Sequence, residues 1–319
     1  MNLIQKINLR GAALGLSSLS LAAALPLSVT DANAQSLSPL SDYSVIVSGD
    51  FSTTSDVEGR TLVGGDLTGS NSMNLAIKLQ NTVDSSTFTL QVAGDIVSGN
   101  SINLNAGSIE LGGSISRNVN YNGGGSLVSN PGVSYDAIFA QLDAASSQLS
   151  GLASNSVASF PSSQPGPLVF SATPDDDGTA IFSYSGNDIF SNNYVQQIEL
   201  DLNSASTVVI NVSGTDIDWT SGNMVGSFTD LAVRESVIWN FYEAESIDFG
   251  SYNMMGQVLA PNATVTTSAN IDGSIYAQNL TTTSEVHLPT YNGELVPEPS
   301  SLAMLGLSAF AFLMRRKRG

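Results

Sequence analysis

The chain has 319 residues, no cysteine, 29 glycines, a hydrophobic fraction of 42% and a charged fraction of 12%. That much apolar side chain excludes a wholly disordered chain, and the load of Gly, Ser, Thr and Asn favours short strands and tight turns over a helical bundle. Between Gln35 and Val296 there are 26 acidic residues against only Arg60, Lys78, Arg117 and Arg234, a formal charge of −22; phosphate backbones would be repelled, so no nucleic-acid partner is expected.

The chain opens as an export signal. Lys6 and Arg10 supply a positive start, Gly11 to Leu27 an apolar stretch, and Ala32-Asn33-Ala34 the small-x-small site that signal peptidase requires. Residues 1–34 are therefore read as a signal peptide cut after Ala34. The absence of cysteine fits export, where a stray thiol could oxidise.

A short phrase then recurs. Val47-Ser48-Gly49-Asp50-Phe51, Val63-Gly64-Gly65-Asp66-Leu67, Val92-Ala93-Gly94-Asp95-Ile96 and Leu111-Gly112-Gly113-Ser114-Ile115 share the order apolar, small, Gly, Asp or Ser, apolar. Repetition on this scale marks a solenoid with one coil per unit. Alternation at Val45 and Val47, Ile102 and Leu104, and Ile109 and Leu111 supports strands within the units. Gly49, Gly65, Gly94 and Gly113 are predicted at equivalent corners of stacked coils. Asp beside them can bond adjoining turn amides, as a corner piece rather than a metal ligand, since each occurs singly.

Between residues 134 and 153 the period changes. Ile138, Leu142, Ala145, Leu149 and Leu152 form one apolar stripe of an amphipathic helix, with Ser134 as its cap and Gly151 near its end. Such a helix would pack along the side of the coils. Phe160 to Pro167, with three prolines, reads as the linker back into strands. Strand signals resume at Thr207–Val212 and Ser236–Phe241, and Gly256 and Gly273 stand one coil apart. The fold class expected for residues 35–295 is mainly β, a β-solenoid (β-helix) interrupted by one amphipathic α-helix. An N-terminal signal helix and a short C-terminal membrane helix complete the expected chain.

The phrases around Gly49-Asp50, Val57-Glu58-Gly59-Arg60 and Gly64-Gly65-Asp66 resemble the choice-of-anchor A domain. So do Trp239-Asn240-Phe241, Gly256 to Ala263, His287 and Tyr291-Asn292-Gly293. The resemblance runs from about Leu40 to Leu295 and implies a surface domain coupled to an anchor, with no catalytic residues to carry over.

Residues 296–319 form the last element. Pro297-Glu298-Pro299 precedes an uncharged apolar span, 300–314, and then Arg315, Arg316, Lys317 and Arg318. At about 1.5 Å per residue the span is shorter than the roughly 30 Å hydrocarbon core, so it suits a transient membrane insertion with the basic run held cytoplasmic. The motif, span and tail resemble a PEP-CTERM sorting domain, also catalogued as the C-terminal domain of ice-binding proteins. That resemblance implies a Gram-negative, exopolysaccharide-producing bacterium, recognition by exosortase, and an inner-membrane intermediate on the way to the outer surface or the extracellular matrix.

Catalytic signals are sparse. His287 is the only histidine, and no Gly-x-Ser-x-Gly elbow accompanies it, so it reads as a packed or rim residue and the chain as a non-enzyme. One histidine and no cysteine cannot supply a usual zinc site. Asp175-Asp176-Asp177-Gly178 and the pair Asp216 and Asp218 leave calcium open, but neither has EF-hand spacing; no cofactor is expected. The function expected is structural or adhesive, contacting polysaccharide or matrix. The rivals are ice binding, for which Thr264-Val265-Thr266-Thr267 and Thr281-Thr282-Thr283 come closest to ranked threonines, and a polysaccharide-degrading β-helix enzyme, which no constellation supports.

Replacing Pro297-Glu298-Pro299 with three alanines is expected to leave export intact and to hold the unprocessed chain in the inner membrane. Fractionation and intact mass check this: wild-type mass at the cell surface would remove the sorting role from the motif.

Overall fold

The computed structural model describes residues 37–293. The expected signal peptide with Ala32 and Ala34, and the sorting segment with Pro297 to Pro299, span 300–314 and Arg315 to Arg318, lie outside the described residues. Among the described residues no helix is long and apolar enough to cross a membrane.

Parallel strands dominate, and three walls organise them. The first wall runs, in spatial order, Leu127–Ser129, Ser108–Leu111, Phe88–Val92, Thr61–Val63, Val45–Val47, Ile275–Thr282, Gln257–Thr267, Val237–Asn240, Thr207–Ser213 and Thr179–Ser185. Every neighbouring pair in it is parallel. A second wall joins Asp216–Asp218, Ser246–Asp248, the far halves of Gln257–Thr267 and Ile275–Thr282, Phe51–Thr53 and Leu67–Thr68, continued by single bridges at Ile96 and Ile115. The third joins Met254–Met255, Ile271–Asp272 and Val286–His287, then through Val57 reaches Met73–Leu75, Ile102–Leu104 and Val119–Tyr121. A separate four-stranded sheet, Val157–Ser159, Gly166–Ser171, Val195–Asp201 and Asn223–Met224, belongs to the second half of the chain.

Spatial order is not chain order. The first half stacks outward from Val45–Val47 in one direction. The second half begins at the opposite extreme, with Thr179–Ser185, and works back until Ile275–Ala277 pairs with Val45–Val47. The expectation of coils, a helix and more coils holds along the chain, but the second set is laid on the other side of the first turn. Nearby, the Leu40 carbonyl accepts from the Tyr291 amide at 2.9 Å and from Ser274 Oγ at 2.8 Å.

The glycine corners stack as predicted. Gly65, Gly94 and Gly113 each donate their amide to the carbonyl of the preceding corner glycine, Gly49, Gly65 and Gly94, at 2.7, 3.0 and 3.0 Å.

The helix spans Asp136–Ser150, shorter at both ends than 134–153. Ser134 Oγ accepts the Asp136 amide at 3.1 Å. Gly151 adopts a right-handed conformation, so the helix end makes no use of glycine's freedom. The helix lies on the outward face of the first wall. The residues pointing inward there, such as Val45, Val47, Ile210 and Trp239, fill the interior, while the alternate ones, Ile46, Leu62, Val209, Ile238, Leu259 and Tyr276, meet Leu142, Ala145 and Leu149 of the helix. Of the apolar stripe read from the sequence, Leu142, Ala145 and Leu149 are buried, Ile138 and Leu152 are only partly buried with Leu152 beyond the helix, and Phe139 joins the buried face, stacked on Tyr276 at 6.2 Å.

Two asparagines fix the helix in register. Asn240 Nδ2 donates to the Ser146 carbonyl and to Asn211 Oδ1 at 3.0 and 2.8 Å. Ser146 Oγ donates to Asn240 Oδ1, and Asn211 Nδ2 to the Leu149 carbonyl. All are buried, so each polar atom needs its partner. The interior changes character along the stack: aliphatic in the first half, aromatic in the second, where Phe170, Phe190 and Phe228 surround Trp239 at centroid distances of 5.9, 5.7 and 5.8 Å.

The linker expected at Phe160–Pro167 is shorter, since Gly166 and Pro167 already form strand. Ser236 closes a helical turn, Leu231–Ser236, before the strand begins at Val237.

Asn240→Ala is expected to cost about 3 kcal/mol, because it strands the Asn211 and Ser146 groups in a dry contact. Urea unfolding checks the figure; a loss below about 1 kcal/mol would mean the asparagine pair does not clamp the helix.

Candidate functional site

Among the described residues, the helix Asp136–Ser150 packs on the first wall and leaves the outward face of the second wall open. Its inward side is closed by Ile217, Ile247, Val265, Leu280, Phe51 and Leu67, all buried. Strand alternation therefore turns the intervening residues outward in two columns. Register places Asp216, Ser246, Thr264 and Asn279 on successive rungs of one column, and Asp218, Asp248, Thr266, Thr281, Ser52 and Thr68 on the other. The two threonine runs seen in the sequence become neighbours, Thr266 beside Thr281 and Thr267 beside Thr282. Thr264, Thr266 and Thr281 are exposed, and Thr267 and Thr282 are buried at the wall's edge. The sequence hid this pairing because the strand register shifts between Ala260 and Thr264, so the offset to the next turn differs on the two sides of the corner.

The first column continues into the first half as a ladder of side chains. Asn279 Oδ1 accepts the Asp50 amide at 2.9 Å, Asp50 Oδ1 the Asp66 amide at 2.8 Å and Asp66 Oδ1 the Asp95 amide at 2.7 Å. Asp95 Oδ1 then accepts the Ser114 amide and hydroxyl at 2.6 and 3.0 Å. Each carboxylate thus caps the next turn rather than its own. The Ser114 amide and hydroxyl hold the Asp95 carboxyl below its ordinary range. The Gly-Asp phrase now has one cause. A Cβ on Gly94 would lie 2.3 Å from Asp66 Oδ1 and 2.5 Å from the Gly65 carbonyl oxygen, so glycine leaves room for the carboxylate of the turn before.

His287 sits on the third wall, half-buried. Its Nδ1 meets Asp272 Oδ1 and its Nε2 meets Glu285 Oε2, each at 2.7 Å. Arg234 Nη1 lies 3.3 Å from Asp272 Oδ2. Burial alone would lower the imidazole pKa, but the hydrogen bonds to Glu285 and Asp272 and the charges of Asp272 and Glu58 outweigh it, and the pKa is raised. Both ring nitrogens are thus engaged by carboxylates.

Asp175–Asp177 is a solvated turn. Asp175 Oδ1 accepts the Asp177 and Thr179 amides at 3.1 and 2.9 Å, and all three residues are exposed. Asp216 and Asp218 belong to the open wall, at its outermost strand. Among the described residues no group of three or more His, Asp or Glu side chains converges as a metal would need.

Stacked parallel turns, one wall clasped by a helix and another open and lined with small polar side chains, define the class. The chain belongs to the ice-binding-like adhesive domain family, which matches residues 36–288. Residues 295–318 match the PEP-CTERM protein-sorting motif, which indicates an exosortase-targeted surface protein exported toward the cell surface of a Gram-negative bacterium. No curated protein matches the chain. Of solved structures, an ice-binding protein from the Antarctic ascomycete Antarctomyces psychrotrophicus is 15% identical, over 80% of this chain and 98% of that one, with a TM-score of 0.38. An ice binding protein from an Antarctic bacterium of the Flavobacteriaceae is 11% identical, over 81% of each chain, with a TM-score of 0.32.

The raised His287 pKa sets a pH dependence. The ion cluster stabilises the fold fully below the unfolded value of about 6.5 and loses that contribution as pH rises through the folded value. The stability difference between wild type and His287→Ala is therefore expected to be larger at about pH 6 than at about pH 9 in denaturant titrations. A gap that is flat or grows with pH would show that the imidazolium is not what the carboxylates hold.

Proposed function

We propose that this is a non-catalytic adhesive protein, a β-solenoid whose open wall docks extended, neutral polysaccharide at the outer surface or in the extracellular matrix. The observation that carries the reading is the pair of in-register columns on the second wall. Ser246, Thr264, Asn279, Asp248, Thr266 and Thr281 offer hydroxyls, an amide and carboxylates at a repeat of about 4.8 Å along the stack. A hydroxyl-rich chain lying along the stack meets the same donors and acceptors at every rung. Each contact is weak, but strand-held side chains lose little freedom on binding, so many of them sum usefully. The carboxylates in the columns and the acidic body disfavour polyuronates and select neutral chains. Engagement of both His287 nitrogens supports binding over catalysis. No cofactor enters this reading.

A second reading, ice binding, is favoured by one feature: Thr264 and Thr266 on one rung with Thr281 on the next. Against it, Asp216, Asp218 and Asp248 occupy the same columns, where their strongly held hydration opposes an ice-like water layer.

Purified wild type and the double variant Thr266→Lys/Thr281→Lys, assayed on immobilised neutral polysaccharides and for thermal hysteresis, separate these readings. Wild type is expected to bind glycan without hysteresis, with and without a calcium chelator. The variant is expected to lose at least about tenfold in affinity, equivalent to about 1.4 kcal/mol. Hysteresis without glycan binding would give the wall to ice, and a polysaccharide cut by the protein would replace adhesion with polysaccharide degradation.

A further inference from the structure

The two ends of the stack are finished differently. At the second-half end, the outer edge of Thr179–Ser185 is occupied by Ser154 to Ser156. The Ile181 amide donates to Asn155 Oδ1 at 2.8 Å, and the Ile181 carbonyl accepts from the Asn155 and Ser156 amides and from Ser154 Oγ. Asn155 Nδ2 donates to the Thr179 carbonyl at 3.0 Å. That edge is capped by side chain and backbone together.

At the first-half end nothing comparable is present among the described residues. Leu127–Ser129 pairs on one side only, with Ser108–Leu111. Leu127 stands opposite the buried Ile109, at an interior position with no further turn to cover it, and is 40% exposed; Val128 beside it is 41% exposed. Ile115, Val119 and Tyr121, at the ends of the other two walls, are only partly buried. Stacked-turn proteins ordinarily cover their last turn, because an open parallel edge over an apolar cross-section is a template for another strand.

Charge says what covers it. In a body of formal charge −22, residues 96–135 hold only Glu110 and Arg117, and both are engaged: Glu110 by Gln91, Asn130 and Tyr135, Arg117 by the Asn100 and Asn71 carbonyls. Asp95, one residue before that stretch, is tied to the Ser114 amide and hydroxyl, so two copies meeting at this end bring fewer like charges together than two copies meeting over the rest of the acidic body.

We infer that the Leu127–Ser129 end is a homotypic interface, where a second copy of the chain joins edge to edge about a two-fold axis and seals both open interiors. The symmetry makes the contact isologous and closed, so it stops at a dimer rather than growing into a fibre. The capped opposite end supports the same limit. Neither the sorting motif nor the polysaccharide reading is needed for it.

The cysteine-free sequence gives a clean test. In an antiparallel edge pair, facing Cα atoms lie about 4.5–5.5 Å apart, within reach of a disulfide. Val128→Cys in the full chain, exported to the oxidising periplasm, is expected to run as a covalent dimer on a non-reducing gel. Val157→Cys, 66% exposed at the other end, is expected to stay monomeric. Sedimentation of the wild type across a concentration series needs no substitution and is expected to show a monomer–dimer equilibrium that Leu127→Lys abolishes. Wild type that stays monomeric at its highest soluble concentration, equal cross-linking of the two cysteine variants, or a mixed disulfide with a different protein would each overturn the inference.

Discussion

The fold turns on one ladder, the parallel pairing of Val45–Val47 with Ile275–Ala277. The first turn formed from the N-terminal side is the middle of the finished stack, so one of its edges stays open until the last strands return. That closure shapes the walls where the two halves meet. It brings Asn279 to Asp50 and starts the carboxylate ladder, and it sets Thr281 between Thr266 and Ser52 on the open wall. It also makes the interior continuous between an aliphatic half and an aromatic one.

The helix and the ladder perform related tasks by different means. On the first wall, alternate residues are apolar and are buried under Asp136–Ser150, with Asn211 and Asn240 supplying the directional bonds that dispersion and apolar burial lack. The second wall is left open by that helix, and adjacent turns are locked instead by charge-assisted bonds that backbone amides donate to carboxylates at the solvent edge. Turns locked in this way leave the outward columns of that wall exposed.

Much of this was legible. The Gly-Asp phrases located the corners because a glycine and the carboxylate it admits must recur together at every turn, and a period-two signal beside them is unambiguous. The helix was visible from Ile138, Leu142, Ala145 and Leu149 for the same local reason. What was not legible is non-local. Nothing near Ile275 says that its partner is Val45, 230 residues away by number, and the register shift after Ala260 hid the alignment of the threonine runs. The environment of His287 was equally hidden, since Asp272 and Arg234 come from other segments. The candidate wall was therefore present in the sequence as fragments, Thr264 to Thr267 and Thr281 to Thr283, without the geometry that unites them.

The bond between the Tyr291 amide and the Leu40 carbonyl has a mechanical consequence. It brings the entry and exit of the described body to one place, beside the strand pair that joins its two halves. A tether on either flank therefore pulls near the midpoint of the stack, not at a tip. Were a polysaccharide to lie on the second wall, as proposed, load along it would reach such a tether through shear of many parallel rungs at once, rather than by peeling strands one after another from an end. Shear across a ladder loads its hydrogen bonds in parallel, and peeling loads them in series. A body held at its waist in this way resists traction with the whole stack.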